Sequence, residues 1–580
     1  MKDIKNDEKL NMLNHSCAHL LAHAVKHLYP EAKFWVGPVI EDGFYYDIDL
    51  GDKSLNEEDF PKIEKEMKKI SKDNKLIKRI ELSKEEALDM FKDDPYKIDL
   101  INRMDENDTV ISAYKQGDFI DLCRGPHVES TKLIKHFKLL KVSGAYWKGD
   151  SKNKMLQRVY GICFENENDL NEYLEFLEEA KKRDHKKLGK ELGLFMMSEY
   201  GPGFPFFLHN GMILRNELEN FWYKEHKKEG YQFVKTPIML NKDLWELSGH
   251  WFNYRENMYT SQIDEKVFAI KPMNCPGGML VYKNSLYSYK DLPLRVGELG
   301  QVHRHEASGA LNGLFRVRTF TQDDAHIFMT QDQIESEVIR LINFIDRVYS
   351  IFGLSYSIEL STRPEEKYIG ELEIWNKSEK ALEDACHKAG HECKINPGDG
   401  AFYGPKLDFH IKDSLGRVWQ CGTIQLDMNL PERFDLTYID SDGSKKRPVM
   451  LHRVIFGSIE RFIGILIEHY AGAFPLWLSP NQVNIIPVNN LIHMDYAKKI
   501  MQELDDNEIR VTLDESDEKF GYKMRQSVMS KVPYTLILGD NEMKDDTISY
   551  RHRGNTETKN MKLDEFISML KEEIKTKKNN

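Results

Sequence analysis

Apolar and polar positions near the start of the chain follow the period of an amphipathic helix. The pattern predicts a helix over about residues 14–28 with one apolar face. Its apolar positions are Leu20, Leu21, Ala24, Val25 and Leu28. The next stretch, "FWVGPVIEDGFYYDIDL", alternates like paired strands around Glu-Asp-Gly, which predicts a β-hairpin. A charged helix is predicted at about 57–74, followed by mixed α/β sequence to about residue 164.

The pattern changes three times further along the chain. The stretch "ENENDLNEYLEFLEEAKKRDHKKLGKEL" predicts one long surface helix, and the Gly/Pro-rich "SEYGPGFPFF" indicates a boundary near residue 198. Aromatic and β-branched runs then predict a large antiparallel sheet with packed helices. After "PLWLSPNQ", short apolar runs alternate with helical stretches, which predicts a small α/β domain with a largely parallel sheet. We therefore expect an α+β multidomain protein with segments 1–164, 165–197, 198–478 and 479–580.

Composition and charge limit the possible partners and locations. The chain has 580 residues, of which 41% are hydrophobic and 30% charged, as in globular proteins. Its net charge is −12, so any nucleic acid must be bound by local positive charge. The start "MKDIKNDEKLNML" is not a signal peptide, and Glu468, His469 and Pro475 interrupt the longest apolar stretch. With seven cysteines, we expect a cytoplasmic protein with reduced thiols and no membrane contact.

A series of histidines lies on one side of the first predicted helix. In "HSCAHLLAH" and the residues after it, four histidines recur at intervals of four: His15, His19, His23 and His27. Ser16 stands where the metalloprotease pattern requires Glu, so that reading is excluded. The later stretch "DLCRGPH" adds Asp121, Cys123 and His127. Three interpretations remain: a tetrahedral zinc site, a metal-free pocket that activates water, and unrelated surface histidines.

A second set of candidate residues is spread over the large middle segment. "KPMNCPGG" carries Cys275, "FTQDDAHIF" carries His326 and "LHRVIFGSIERF" carries His452. No local spacing connects them, and composition alone predicts ordinary buried side chains.

Arginines around a glycine-containing loop indicate phosphate binding. "HRHEASGALNGLFRVRTF" carries Arg304, Glu306, Arg316 and Arg318, whose guanidinium groups either hold a phosphate or form exposed ion pairs. Arg461 lies in an apolar helix, where an arginine requires an anionic partner. Neither a P-loop nor a dinucleotide-binding glycine pattern is present.

Several ordered motifs resemble the class II aminoacyl-tRNA synthetases. "RHE…FRVRTFTQDDAHIF" resembles their motif 2, "HRVIFGSIERFIGILIEHYAGAFPLWL" motif 3 and "GYQFVKTPIM" motif 1. "KPMNCPGG", "STRPEEKYIG", "GAFYGPKLDF" and "QCGTIQLD" are similar to the threonyl-tRNA synthetase family. "HSCAHLLAH", "GFYYDID" and "DLCRGPH" resemble that family's serine-editing domain. The resemblance extends from about residue 12 to the C-terminus.

The resemblance implies a function for each segment. In order, they would be an N-terminal α/β editing domain, a linker helix, a class II catalytic domain and a C-terminal α/β anticodon-binding domain. The implied activity is ATP-dependent ligation of L-threonine to tRNA(Thr) through threonyl-adenylate, with hydrolytic editing of Ser-tRNA(Thr), in a homodimer. A non-catalytic RNA-binding paralogue is the alternative. It would be expected to lose Arg304, Arg461 or a zinc ligand, and all are present.

The resemblance also implies the site residues. One Zn²⁺ per chain would be bound by Cys275, His326 and His452. ATP with Mg²⁺ would be bound by Arg304, Glu306, Arg316, Phe320 and Arg461, the three arginines being catalytic. Threonine would be bound by Gln322, Asp324, Tyr403, Gln420 and Gln425. Editing would use His15, His19, Tyr46, Lys97, Asp121, Cys123 and His127. The anticodon would be read by Arg525 and Glu542.

Three departures from the family pattern affect these expectations. Only about a dozen residues precede the editing segment, so we expect a form without the family's usual N-terminal ubiquitin-like domain. Gly278 stands where many members have His, which removes one side-chain contact. Lys531 stands where Arg is usual, which puts one anticodon contact in question.

The chemistry of threonine explains why two sites are needed. An open zinc with three protein ligands can accept both the amino and the hydroxyl group of threonine, whereas valine offers only one of them. Serine offers both, and its missing methyl is worth only about 1–3 kcal/mol, or roughly 10–200-fold. A second, hydrolytic site must therefore remove serine. We expect His15 and His19 to belong to that site without a metal, and His23 and His27 to be flanking residues.

Overall fold

The structure is a computed structural model that describes residues 4–104, 110–150, 152–366 and 368–579. The chain divides into two compact units, one ending at Glu179 and one beginning at Ala180. None of the helices in the described ranges has the length and apolar character that a membrane span requires. The division into four segments remains a prediction, because the two compact units separate the chain at only one point, near residue 180.

The first unit is a five-stranded and a three-stranded sheet with helices packed beside them. Its helices are α1 (Glu8–Leu28), α2 (Phe60–Lys72), α3 (Lys84–Met90), α4 (Pro95–Asn102) and α5 (Glu167–Arg183), the last of which continues past the boundary. Its strands are β1 (Lys33–Phe34), β2 (Val39–Ile40), β3 (Gly43–Asp49), β4 (Ile77–Leu82), β5 (Ile111–Gln116), β6 (Phe119–Leu122), β7 (His136–Tyr146) and β8 (Met155–Phe164). The larger sheet has the order β1-β3-β8-β7 with β2 paired to β3, and the smaller one the order β4-β5-β6.

The first helix begins earlier than its apolar pattern predicts. The Asp7 carboxylate accepts hydrogen bonds from the backbone N–H groups of Lys9 and Leu10 at 3.0 and 3.1 Å. This cap satisfies N–H groups that would otherwise lack a partner, so the helix begins at Glu8. The predicted hairpin is confirmed as β2 and β3, which pair antiparallel. The predicted charged helix is confirmed as α2.

The second unit contains a large sheet and a smaller C-terminal one. Around the large sheet lie α6 (His185–Glu191), α7 (His209–Lys228), α8 (Lys242–Leu247), α9 (His250–Asn253), α10 (Cys275–Lys283), α11 (Ile334–Ile351), α12 (Leu372–Lys388), α13 (Asn429–Arg433) and α14 (Ile459–His469). The strands of this region are β9 (Phe195–Ser198), β10 (Gly201–Phe207), β11 (Gln232–Phe233), β12 (Met239–Asn241), β13 (Thr260–Ile263), β14 (Lys266–Ile270), β15 (Leu294–His303), β16 (Thr319–Met329), β17 (Ser355–Ser361), β18 (Cys393–Asn396), β19 (Lys406–Lys412), β20 (Val418–Asp427), β21 (Tyr438–Ile439), β22 (Lys445–Lys446) and β23 (Val449–Val454).

The large sheet confirms the predicted antiparallel architecture. Its eight strands have the order β11-β15-β16-β23-β20-β19-β17-β18. Only the outermost pairs are parallel, β11 with β15 and β17 with β18. The helix α14 packs on this sheet through an almost wholly buried apolar face. The sheet therefore holds the side chains of four of its strands, β15, β16, β20 and β23, in fixed positions relative to one another.

The helix predicted at 165–192 is divided in the structure. It ends as α5 at Arg183 and starts again as α6 at His185. The Asp184 carboxylate accepts from the backbone N–H groups of Lys186 and Lys187 at 2.9 and 3.0 Å, so it caps a new helix. The His185 imidazole is buried and lies 2.7 Å from the Glu468 carboxylate. The prediction of one continuous surface helix is wrong because tertiary contacts and the cap favour a break.

The C-terminal sheet mixes parallel and antiparallel pairs. It comprises the strands β24 (Val483–Pro487), β25 (Val511–Leu513), β26 (Tyr534–Leu538), β27 (Ile548–His552) and β28 (Lys559–Met561). The helices beside them are α15 (Asn490–Asp506), α16 (Phe520–Met529), α17 (Asp540–Asp545) and α18 (Leu563–Thr576). In the order β25-β24-β26-β27-β28, the first three strands are parallel and the last two antiparallel. The predicted α/β domain is thus present, with parallel pairing limited to three strands.

Candidate functional site

Two neighbouring strands of the large sheet bring the three proposed zinc ligands together. His326 on β16 lies directly opposite His452 on β23 in the antiparallel register. Cys275 is the first residue of α10. One ligand atom from each of the three residues lies within 4.8 Å of the others. The sheet register thus joins residues that are separated by up to 177 positions (452 − 275) along the chain.

The chemistry of this group fits a metal ion. His326 Nε2 is buried and has no hydrogen-bond partner. His452 Nε2 lies 2.8 Å from the buried Asp427 carboxylate, the arrangement that orients many metal-binding histidines. Burial lowers the pKa of His326 to about 4, so the imidazole is neutral and can act as a ligand. Burial also raises the pKa of the Cys275 thiol, a shift that metal coordination would reverse.

A cavity of about 240 Å³ lies beside the motif 2 loop. Its walls include all five residues expected to bind ATP and two expected to bind threonine: Arg304, Glu306, Arg316, Phe320, Arg461, Gln322 and Gln420. Three cations and two side-chain amides therefore face one space, a suitable lining for a nucleotide phosphate chain beside a small polar molecule.

Backbone and side-chain contacts fix the cationic groups of the cavity. Arg304 Nε donates to the Pro272 carbonyl at 3.1 Å, and its guanidinium lies 5.1 Å from the Phe320 ring centroid. Arg461 Nε donates to the Phe315 carbonyl at 2.9 Å. Each arginine thus uses Nε to position itself. The terminal nitrogens of Arg304 and Arg461 have no hydrogen bond to the described residues.

The two other motif 2 arginines have different surroundings. Arg316 forms an ion pair with the Glu306 carboxylate at 2.9 Å, and both residues of this pair line the cavity. Arg318 donates to the backbone carbonyls of Glu306 and Pro202, at 2.8 and 3.1 Å. Of the two interpretations open from the sequence, phosphate binding suits Arg304, whereas Arg318 supports the loop.

Residues expected to bind threonine connect the cavity with the metal group. Gln322, Asp324 and His326 alternate along β16, and side chains two positions apart share one face of a strand. Tyr403 Oη donates to Gln425 Oε1 at 2.9 Å, and Gln425 lies opposite His452 in the sheet. Gln322 Oε1 is buried without a partner. A ligand on this face would therefore reach both the cavity and the metal group.

All seven predicted editing residues lie together in the first unit. His15 and His19 come from α1, Tyr46 from β3, Lys97 from α4, Asp121 from β6, and Cys123 and His127 from the loop after it. Cys123 Sγ lies 3.1 Å from His15 Nε2 and 3.2 Å from His127 Nε2. The Asp121 carboxylate lies 2.6 Å from Lys97 Nζ, 3.7 Å from His19 Nε2, and also accepts from Tyr46 Oη.

Burial determines the protonation of the editing group. It lowers the pKa of His15, and of His19 well below the usual range, where the neighbouring His15 and Lys97 act in the same direction. It raises the pKa of the Cys123 thiol to about 11. The group therefore contains neutral imidazoles, a neutral thiol and one Lys97–Asp121 ion pair. His19 Nδ1 is buried and unpartnered, so it is free to accept a proton from water.

The same donors also satisfy the distance requirement for a metal ion. One ligand atom from each of His15, His19, Cys123 and His127 lies within 4.8 Å of the others. Two of the three interpretations that the sequence left open, a tetrahedral zinc site and a metal-free pocket that activates water, are thus both compatible with the geometry. Unrelated surface histidines are excluded, because the side chains converge on one point.

The two flanking histidines also have specific partners. His23 Nε2 and His27 Nε2 lie 3.0 Å from the two oxygens of Asp118. Both histidines thus belong to a polar group of their own, whereas the sequence led us to expect ordinary residues flanking the editing site.

The predicted anticodon residues lie in the C-terminal region. Arg525 is exposed on α16 and forms no hydrogen bond with the described residues, which leaves its guanidinium available. The Glu542 carboxylate on α17 accepts from Ser549 Oγ at 2.6 Å and from the Gly539 N–H at 2.9 Å. Lys531 Nζ donates to the Ala471 carbonyl, so its charge is used within the protein.

Gly278 leaves little room beside the metal group. A Cβ atom at this position would lie 3.2 Å from His326 Nδ1, so a side chain there would touch this imidazole directly. Sequence reasoning missed two other neighbours of the group. Asp427 holds His452, and Asn274 Nδ2 donates to Asp324 at 3.2 Å. Asp427 is the last residue of β20, and no local sequence pattern connects it with His452.

Comparison with known proteins gives consistent matches along the chain. Residues 259–470 match the tRNA synthetase class II core domain (G, H, P, S and T), residues 482–573 an anticodon-binding domain, and residues 111–160 the second additional domain of threonyl- and alanyl-tRNA synthetases. The chain is 56% identical over 589 residues to a threonine–tRNA ligase from Acetivibrio thermocellus, covering 99% of this chain and 92% of that protein. A threonine–tRNA ligase from Fusobacterium nucleatum is 58% identical over 580 residues, with 99% and 93% covered. A crystal structure described as the RNA-binding domain of threonyl-tRNA synthetase from Cryptosporidium parvum superposes with a TM-score of 0.64 at 41% identity, covering 67% of this chain and 98% of that one.

Proposed function

The chain belongs to the threonine–tRNA ligase family, and we propose that the groups described above are its working sites. It ligates L-threonine to tRNA in an ATP-dependent reaction through threonyl-adenylate, and its editing domain hydrolyses mischarged Ser-tRNA(Thr). ATP is used with Mg²⁺. The observation that carries the site assignment is the shared face of β16, which runs from the arginine-lined cavity to the group of Cys275, His326 and His452.

Threonine is selected at a zinc ion bound by Cys275, His326 and His452. The unpartnered His326 Nε2 and the carboxylate behind His452 support this assignment. When bound there, zinc supplies open positions for the amino and hydroxyl groups of threonine, of which valine has only one. Metal analysis of a Cys275→Ala, His326→Ala variant should find one zinc per chain fewer than in the parent. Equal zinc in both proteins would exclude this site.

Activation needs no nucleophilic side chain from the protein. The threonine carboxylate attacks the α-phosphorus of ATP, forming a C–O–P bond while the bond to the leaving pyrophosphate breaks. Arg304 and Arg461 stabilise the negative charge that develops on the phosphate oxygens, because both guanidinium groups face the cavity and keep terminal N–H groups free. Gln322 and Asp324 hold the amino acid on the face of β16, so most of the rate enhancement comes from positioning.

Editing proceeds without a metal in our proposal. The site already contains a cation, Lys97, that neutralises its one carboxylate, and the Cys123 thiol is protonated because burial raises its pKa to about 11. His19 Nδ1 takes a proton from water, which attacks the seryl ester carbonyl. The ester C–O bond then breaks, and the tRNA hydroxyl is protonated as it leaves. The neutral imidazole with a free nitrogen supports His19 as the base.

The working form that we propose is a cytoplasmic homodimer that binds tRNA(Thr). Motif 1 contains β11, an edge strand of the eight-stranded sheet, and exposes Phe233, Ile238 and Met239 nearby. An exposed apolar sheet edge is suited to pairing with a second copy. The cytoplasmic location is part of this proposal, and the seven free cysteines support it. Arg525 and Glu542 are our candidates for contacts with the anticodon.

The reaction is tested by ATP–pyrophosphate exchange with individual amino acids. We expect rapid exchange with threonine, exchange with serine reduced by roughly 10–200-fold for the missing methyl, and none above background with valine. Background exchange with all three amino acids would contradict the proposal, and equal exchange with valine and threonine would contradict selection at zinc.

A further inference from the structure

Two histidines and a carboxylate outside the editing site converge on one point in the first unit. We refer to His23, His27 and Asp118 as the second histidine group. His23 Nε2 lies 3.0 Å from Asp118 Oδ1, His27 Nε2 lies 3.0 Å from Asp118 Oδ2, and the two Nε2 atoms are 3.1 Å apart. Ligands placed about 2.0–2.2 Å from a tetrahedral metal lie roughly 3.3–3.6 Å from one another. The three residues thus have nearly the spacing of a metal coordination sphere.

The other nitrogen of each imidazole is also held by a polar group. His27 Nδ1 lies 2.9 Å from the Glu66 carboxylate on α2, and His23 Nδ1 lies 2.9 Å from the buried Gln116 amide on β5. A histidine that binds metal through one nitrogen usually donates its other N–H to a carboxylate or carbonyl oxygen. Glu66 already provides such an acceptor. Gln116 Oε1 is buried without a partner, and turning the amide would place this oxygen on His23 Nδ1.

The protonation of the two imidazoles decides whether the centre of the group needs a positive charge. If His27 donates its Nδ1–H to Glu66 and His23 donates its Nδ1–H to the turned Gln116 amide, both neutral imidazoles direct unprotonated Nε2 atoms toward Asp118. Three electron-rich atoms would then repel one another at about 3 Å unless a cation lies between them. That cation is either a proton on one of the two imidazoles or a metal ion.

We propose that the second histidine group binds a divalent transition-metal ion of the zinc type, separate from the Cys275 site. Two imidazoles and a carboxylate form a ligand set that suits zinc and leaves coordination positions for water. The ion can enter from solvent, because the Asp118 side chain is 65% exposed and that of His27 is 30% exposed. The two histidines lie on the same helix as His15 and His19, so the ion would fasten that helix to the turn between β5 and β6.

One neighbouring cation opposes the metal. Lys75 Nζ lies 3.7 Å from Asp118 Oδ1, and its charge must be displaced or tolerated when the ion binds. Removing Lys75 should therefore strengthen zinc binding, whereas removing the Glu66 carboxylate should weaken it. Loss of an outer partner of a metal-binding histidine typically lowers affinity by about 10–100-fold. These opposite effects are not expected if a proton alone occupies the group.

Zinc content of the full-length protein tests the proposal. The chelated protein is dialysed against buffered zinc and counted by elemental analysis, beside a His27→Ala, Asp118→Ala variant in which both altered side chains are partly exposed. We expect one zinc per chain fewer in the variant, with threonine-dependent exchange unchanged. A Cys275→Ala, His326→Ala protein should lose a different zinc, and combining all four substitutions should lose both. The difference in zinc content between the parent and each variant does not depend on whether the editing residues bind zinc.

Affinity measurements complete the test. By competition with a zinc indicator, Glu66→Gln should weaken this zinc by about 10–100-fold, and Lys75→Ala should bind it more tightly than the parent. The proposal is overturned if the parent and the His27→Ala, Asp118→Ala variant hold equal zinc. It is equally overturned if neither Glu66→Gln nor Lys75→Ala changes the affinity.

Discussion

Single side chains at both centres are held neutral by burial. Burial lowers the pKa of His326 to about 4 and depresses that of His19 well below the usual range, while it raises the pKa of the Cys123 thiol to about 11. A neutral imidazole can bind a metal or accept a proton, whereas an imidazolium can do neither. The same physical cause thus prepares one histidine for each of the two proposed chemistries.

The arginines of the cavity give a prediction at this scale. Arg304→Ala or Arg461→Ala should each lower ATP–pyrophosphate exchange by about 10²–10³-fold, because each removes a preorganised donor worth roughly 2.7–4 kcal/mol. The matched control is Arg79→Ala, whose guanidinium forms an exposed pair with Glu81 in the first unit. Exchange within tenfold of the parent for either cavity variant would contradict the phosphate assignment.

The protonation of His19 gives a second prediction. A general base works in its unprotonated form, and the pKa of His19 lies well below its usual 6.5. Deacylation of Ser-tRNA, corrected for spontaneous hydrolysis, should therefore stay constant as the pH falls from about 8 to about 6. An exposed histidine would lose half its activity near pH 6.5. A midpoint at that pH would remove His19 as the buried base.

Sequence motifs identified the candidate site residues, but the residues that form hydrogen bonds with them could not be identified from the sequence. His326 and Arg304 stand in motifs that resemble a known family. Asp427 and Asp118 carry no local pattern that links them to His452 and His23. Their roles depend on the sheet register, which pairs distant strands, and on a turn that contacts α1 although Asp118 is 95 residues from His23 in sequence. Such pairings follow from tertiary structure alone.

At the scale of elements, β16 combines several functions in one strand. Every second residue lies on the face that joins the cavity to the group of Cys275, His326 and His452, which is why the residues proposed to bind substrate and metal occur at intervals of two. The hairpin at 39–49 and the helix α2 followed directly from hydrophobic periodicity. The break at Asp184 did not, because a cap and the buried His185–Glu468 pair override a continuous helical pattern.

The motif 1 segment, which contains β11 and the exposed residues Ile238 and Met239, gives the prediction for this scale. An Ile238→Glu, Met239→Glu variant should dissociate the proposed dimer, because it places charge on an apolar interface. Sedimentation should give twice the 67.9 kDa of the chain for the parent and a monomer for the variant. Leu76→Glu, at an exposed apolar residue in the first unit, is the control and should remain dimeric. A fully active monomeric parent would refute the interface.

On the scale of the whole molecule, ligation and editing occupy different compact units. The α+β multidomain fold predicted from the sequence is confirmed by the sheets and by the matched domains. The predicted domain boundaries remain predictions, since contacts separate the chain only near residue 180. A sequence pattern locates strands and helices, whereas the boundary of a compact unit depends on which cores form between distant segments.

The most direct test of the whole account is the charging of tRNA(Thr) with serine and with threonine by two proteins. The parent is compared with a His19→Ala, Cys123→Ala variant, whose substitutions lie wholly in the first unit. The account predicts that both proteins form Thr-tRNA at similar rates and that Ser-tRNA accumulates only with the variant. Clearance of Ser-tRNA by the variant at the parent rate, or loss of threonine charging in the variant, would contradict it.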